Sequence, residues 1–93
     1  MVIGLVEVSI SIPHARSLKD KRAVLRSLKD RAVGRMNVSV AEVGDQDLWQ
    51  RARFAFVTVA ATREVVERRM AEISAFVRGD PRYVLLDLAT SLL

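Results

Sequence analysis

Ninety-three residues, 51% of them hydrophobic and 28% charged, are expected to make one domain over residues 1–93, with enough apolar material for a core. The chain has no Cys and one His, which excludes disulfides, thiolate metal sites, His-rich metal centres and Cys–His nucleophilic pairs. Fifteen Lys and Arg oppose eleven Asp and Glu, for a net charge of +4, so an anionic partner is a natural expectation.

In chain order, Val2 to Ile12 reads as a strand. Val6, Val8, Ile10 and Ile12 alternate with Glu7, Ser9 and Ser11, and Pro13 ends the run. Ser17 is a helix N-cap with Asp20 at the third helical position, a variant of the capping box. Leu18, Val24, Leu25, Leu28 and Ala32 then recur at helical spacing, and Gly34 is expected to stop the helix. Asn37 to Val43 is a short second strand, followed by turn residues Gly44-Asp45-Gln46-Asp47. A third strand runs from about Trp49 to Ala60. Thr62 caps a second helix with Val65, Val66, Met70, Ile73, Phe76 and Val77 inward, and Gly79-Asp80-Pro81 stops it. The last strand starts at Tyr83, with Val84, Leu86 and Leu88 on one face and Tyr83, Leu85 and Asp87 on the other. The order βαββαβ predicts an α+β, ferredoxin-like fold: a four-stranded antiparallel sheet with two helices on one face and the other face open.

Charge is concentrated on the first helix. Residues 16 to 35 hold eight cations and two anions, while the remainder of the chain is slightly acidic. Lys19, Arg22, Arg26 and Lys29 fall within about 80° on a helical projection, uninterrupted by acids. The second helix mixes Arg63, Arg68, Arg69 and Arg78 with Glu64, Glu67 and Glu72, the pattern of a solvated face. The first stripe can be the same kind of solvated flank or a ridge that tracks phosphates. Lys21 projects into the apolar stripe. Either its stem covers the core edge while its amine reaches water, or it points into a site near His14 and Arg16.

Within Ala52-Arg53-Phe54-Ala55-Phe56-Val57-Thr58-Val59, residues Phe54, Ala55, Phe56 and Val57 match the central strand motif of RNA-recognition motifs, in which aromatics on an open sheet stack on bases, while Ala52, Arg53 and Val59 depart from it. With one parity Phe54 and Phe56 face the open side. With the other, Trp49, Arg51 and Arg53 do, and Trp beside Arg can also stack on bases.

No catalytic set emerges. Ser17 is explained as a cap, and Asp45 with Asp47 supplies too few ligands for a calcium loop. Acylphosphatases share this length and topology. Arg16 stands after the first strand as their phosphate-holding Arg does, but the loop Pro13–Ser17 has no Gly and Asn37 opens the second strand rather than lying in the third. No metal or cofactor is expected. No apolar run approaches the ~20 residues of a membrane span, and the start Met1-Val2-Ile3-Gly4-Leu5 does not read as a signal peptide. A cytoplasmic protein is the expectation.

Three segments together, Ile12-Pro13-His14-Ala15-Arg16-Ser17-Leu18-Lys19-Asp20-Lys21-Arg22, Asn37-Val38-Ser39-Val40-Ala41-Glu42-Val43 and Gln46-Asp47-Leu48-Trp49-Gln50-Arg51-Ala52, resemble the bacterial YlxP-like family, small proteins of unknown function. The resemblance covers nearly the whole chain. It implies a ferredoxin-like fold, a cytoplasmic location and, through genes that neighbour those of translation initiation and ribosome maturation in some bacteria, an association with RNA or the ribosome. It implies no catalytic residues.

The expected function is therefore a non-enzymatic RNA-binding domain, with Lys19, Arg22, Arg26 and Lys29 on phosphates, Arg16 and Lys21 at the loop end, and either Trp49 with Arg51 and Arg53 or Phe54 with Phe56 stacking on bases. The main rival is a homodimer or protein-interaction module that pairs through the open face, which would carry Ala41, Leu85 and Ala89. Acylphosphatase-like hydrolysis is the remote alternative.

Overall fold

The computed structural model describes residues 1–93. Strand β1 (Val2–Ser11), helix α1 (Leu18–Arg35), strands β2 (Ser39–Gly44) and β3 (Arg51–Ala60), helix α2 (Arg63–Arg78) and strand β4 (Val84–Leu92) follow one another. They form one sheet in the order β2-β3-β1-β4, and every pairing is antiparallel. This is the ferredoxin-like α+β plan.

The parity of the sheet follows from burial. Val6 lies opposite Phe56, Val8 opposite Phe54 and Ile10 opposite Ala52, and all six are buried. Alternate residues of each strand share a face, so this set turns toward the helices and fixes the rest. From α2, Val66, Ile73 and Val77 meet it with no exposed surface, and Leu28 and Ala32 come from α1. Helix α2 lies over β1 and β3, while α1 sits over β2 at the sheet edge. Gly4 lies beneath α2: a Cβ there would stand 2.6 Å from Val66 Cγ1 and 2.9 Å from Met70 Sδ, so the helix approaches the strand as closely as it does because this position has no side chain.

Three expectations are corrected. Gly34 does not end α1. It lies within the last turn, and the helix runs on to Arg35, capped by Met36, whose extended backbone still donates its N–H to the Ala32 carbonyl at 2.9 Å. Trp49 belongs to the β2–β3 loop rather than to β3, which starts at Arg51. In β4 the register shifts: Ser9 pairs with Asp87 but Ile10 pairs with Leu85, which leaves Leu86 as an extra residue. This bulge brings both Leu85 and Leu88 onto the core and leaves Val84 and Leu86 exposed, so Leu85 is not an open-face residue.

Tyr83 closes the helix end of the core. It is buried, and its hydroxyl donates to the Val77 carbonyl at 2.5 Å. Burial pushes the phenol up to about 12, with the nearby Asp80 carboxylate adding to the effect. Because an exposed tyrosine ionises near 10, the unfolded chain loses its proton first as pH rises, and the fold should lose stability between about pH 10 and 12. Tyr83 is the sole tyrosine, so an ultraviolet phenolate titration of the native protein should show one transition near the upper value. A midpoint at the ordinary value would show that the hydroxyl is solvated.

Candidate nucleic-acid interface

Helix α1 begins as its cap residues dictate. Ser17 Oγ accepts from Asp20 N at 3.1 Å, and Asp20 Oδ2 accepts from Arg16 N at 2.9 Å. The two bonds, a variant of the capping box in which Asp20 reaches the residue before the cap, satisfy donors at the helix entry and set its phase. From there Lys19, Arg22, Arg26 and Lys29 are all exposed, and none makes an ion pair within the chain. Arg22, Arg26 and Lys29 rim a groove of about 320 Å³ between α1 and β2. Its floor is apolar: Leu25 and Leu28 from the helix, Val40 and Phe54 from the sheet.

The other cations of α1 have structural partners. Lys21 is 1% exposed. Its Nζ donates to the carbonyls of Asp45 at 2.6 Å and Leu48 at 2.8 Å, and lies 2.9 Å from Glu42 Oε2. Neither expectation for Lys21 holds: the amine reaches neither water nor the loop near His14 and Arg16, and it is not available to a ligand. Its partners lie more than twenty residues away, which no local pattern reveals. Arg31 Nη2 reaches Asp80 Oδ2 at 2.6 Å, and the guanidinium groups of Arg31 and Arg35 lie 5.4 and 6.0 Å from the Phe76 ring centroid. These contacts fasten α1 to the end of α2.

Lys21 and Gln50 also bring the motif segments together. Gln50 Nε2 donates to the carbonyls of Pro13 at 3.2 Å and Ala15 at 3.1 Å, while its own carbonyl accepts from Ile12 N at 2.8 Å. The β1–α1 connection and the β2–β3 loop are therefore one tied unit. Asp45, in the left-handed region with φ 58°, turns the loop so that its carbonyl can accept from both Leu48 N and Lys21. Glu42 and Gln50 stand in the motif segments and Asp45 in the turn between them, but the sequence assigns none of the three a role in a shared site. The apolar surroundings of Lys21 in the helical pattern are the other signal for this cluster.

On the open face, Arg51 lies opposite Ser11 and Arg53 opposite Ser9, both exposed, with Trp49 exposed in the adjoining loop. Phe54 and Phe56 are turned the other way and buried, so neither offers a ring to a ligand on that face. Their packing against β1 and the helices wins because it removes both rings from water. Arg16 is exposed beyond the end of β1. The Asn37 carbonyl accepts from Thr58, which pairs with Gly4 near the start of β1. The two residues thus lie at opposite ends of the sheet, roughly 25 Å apart at strand rise, and do not converge on one phosphate as an acylphosphatase site requires.

The elements define a ferredoxin-like domain whose first helix carries a free basic stripe beside an edge strand. Residues 3–90 match the family described as a protein of unknown function, DUF503. The chain is also 39% identical over 80 residues to the uncharacterized protein YlxP of Bacillus subtilis (strain 168), which covers 86% of this chain and 87% of that relative. The chain belongs to the DUF503 family, the family its motifs resemble.

Proposed function

We propose that this protein is a non-enzymatic RNA-binding module, in a translation or ribosomal context, that holds phosphates on α1. The observation that carries the reading is the contrast among the cations of that helix. Lys21 and Arg31 are engaged in ion pairs, whereas Lys19, Arg22, Arg26 and Lys29 are exposed and unpaired on one flank. Exposed cations in a row attract a polyanion and release its counterions. Trp49, in the loop that Lys21 ties to α1, and Arg51 and Arg53 in the strand that follows supply the stacking surface.

Four phosphate contacts give an expected log–log salt slope of roughly −3 to −4 for binding to single-stranded or structured RNA. The Arg22→Glu/Arg26→Glu variant should fold normally and lose most binding. Unchanged binding by that variant would sink the proposal.

A second reading, self-association, is favoured by the apolar end of the open face, where exposed Val57 and Val59 lie opposite Leu5 and Ile3. Sedimentation at micromolar concentration separates the two. A dimer through this face would cover the sheet and leave the α1 flank free.

A further inference from the structure

The groove between α1 and β2 contains more than a phosphate ridge requires. A ridge needs only its cations, yet here Arg22, Arg26 and Lys29 stand around a cavity floored by aliphatic and aromatic side chains. At about 320 Å³ it lies at the small end of ligand pockets. Strand β2 is an edge strand, so the groove opens to one side of the sheet. An occupant that matches it is anionic at its margins and flat and apolar in its body.

Glu42 makes the match more specific. Its place opposite Phe54 turns it toward the helix layer, and it forms part of the groove wall. Oε2 is buried against Lys21 Nζ, but that 2.9 Å contact lacks the alignment of a hydrogen bond. The side chain remains 27% exposed. An ionised carboxylate only accepts hydrogen bonds, and among unpaired bases it favours an exocyclic amino group over the N3–H of uracil, which lies between two carbonyl oxygens that repel the carboxylate.

We infer that the groove seats one amino-bearing base of a single-stranded RNA segment, with the exposed part of the Glu42 carboxylate, not the Oε2 buried against Lys21, accepting from the amino group and Arg22, Arg26 and Lys29 holding the flanking phosphates. This rests on the RNA-binding reading and adds to the Trp49 stacking surface a second place, the groove, where the identity of a base is read. Single-stranded RNA suits the site because its unstacked bases can be splayed into a pocket.

The test is a fluorescence-anisotropy comparison of the wild-type protein with three labelled decamers of equal charge: cytidine, uridine and an abasic ribose-phosphate chain. The cytidine decamer should bind about tenfold more tightly than the abasic chain, the scale of one seated base, and more tightly than uridine, which lacks the amino group. Equal binding of cytidine and abasic chains would overturn the base seat and leave the phosphate ridge standing. Equal binding of cytidine and uridine would overturn the role of Glu42 and with it the inference as stated. If none of the three binds at low salt, the RNA reading itself fails.

Discussion

Replacing Lys21 by Met should destabilise the protein by about 3 kcal/mol, the scale for breaking a buried ion pair from one side. Methionine keeps the length of the stem, so packing changes little and the loss isolates the amine. Without it, the carbonyls of Asp45 and Leu48 lose a donor and Glu42 keeps a buried oxygen with no cation beside it. For a chain of this size the melting temperature should fall by roughly 15 °C. Urea unfolding at neutral pH measures the free energy directly. Adding Glu42→Leu to Lys21→Met should restore part of the loss, because removing both charges leaves no stranded carboxylate. A Lys21→Met protein as stable as wild type would show that the loop does not depend on the amine. The consequence also reaches the proposed interface: Lys21 holds the β2–β3 loop to α1, so its loss should loosen Trp49 even though Lys21 itself touches no ligand.

Asp80→Ala should cost about 2 kcal/mol, and Asp80→Asn about half of that. The carboxylate is buried between two arginines. It accepts from Arg82 Nε and Nη2, from Arg82 N at 2.9 Å and from Arg31 Nη2 at 2.6 Å. Both arginine side chains are more than a third exposed, which limits the cost because water can solvate them once the carboxylate is gone. The Arg82 side-chain hydrogen bonds hold the carboxyl well below the usual range. Burial opposes this in part, and the Arg82 backbone N–H and Arg31 add to the lowering. A depressed carboxyl stabilises the fold at pH values above the unfolded aspartate value of about 3.9, and that stability is lost as pH falls further toward the folded value. The gap in stability between wild type and Asp80→Asn should therefore be constant near neutrality and narrow below about pH 4. A gap that persists unchanged at lower pH would show that the charge of Asp80 contributes nothing.

Helix-entry chemistry and the order of the elements were local matters, and both were legible. Ser17 and Asp20 cap α1 because each reaches a backbone group within four residues, and Thr62 does the same for α2. The stripe of Lys19, Arg22, Arg26 and Lys29 needed only the helical repeat. Gly34 misled because a glycine near a helix end favours a stop without enforcing one, and the next turn found its hydrogen bond from Met36 to Ala32. The alternation read in β4 was carried through an unseen bulge, and one extra residue, Leu86, reverses the face of everything before it.

Periodicity, caps and charge placement in the sequence alone determined the α+β plan, the two helices and the exposed basic flank. Each depends on groups within a turn or two of one another. Only the tertiary structure decided that Phe54 and Phe56 face the helices while Arg51 and Arg53 face outward, since a strand's alternation names two faces without saying which one is covered. It alone decided that Lys21 is an internal tie and that Asp80, just beyond α2, is joined to α1 through Arg31, because a buried charge is stable only beside partners that long-range packing delivers. It also set α1 against an edge strand, and so made a groove beside three of the four free cations, Arg22, Arg26 and Lys29, that no single element contains.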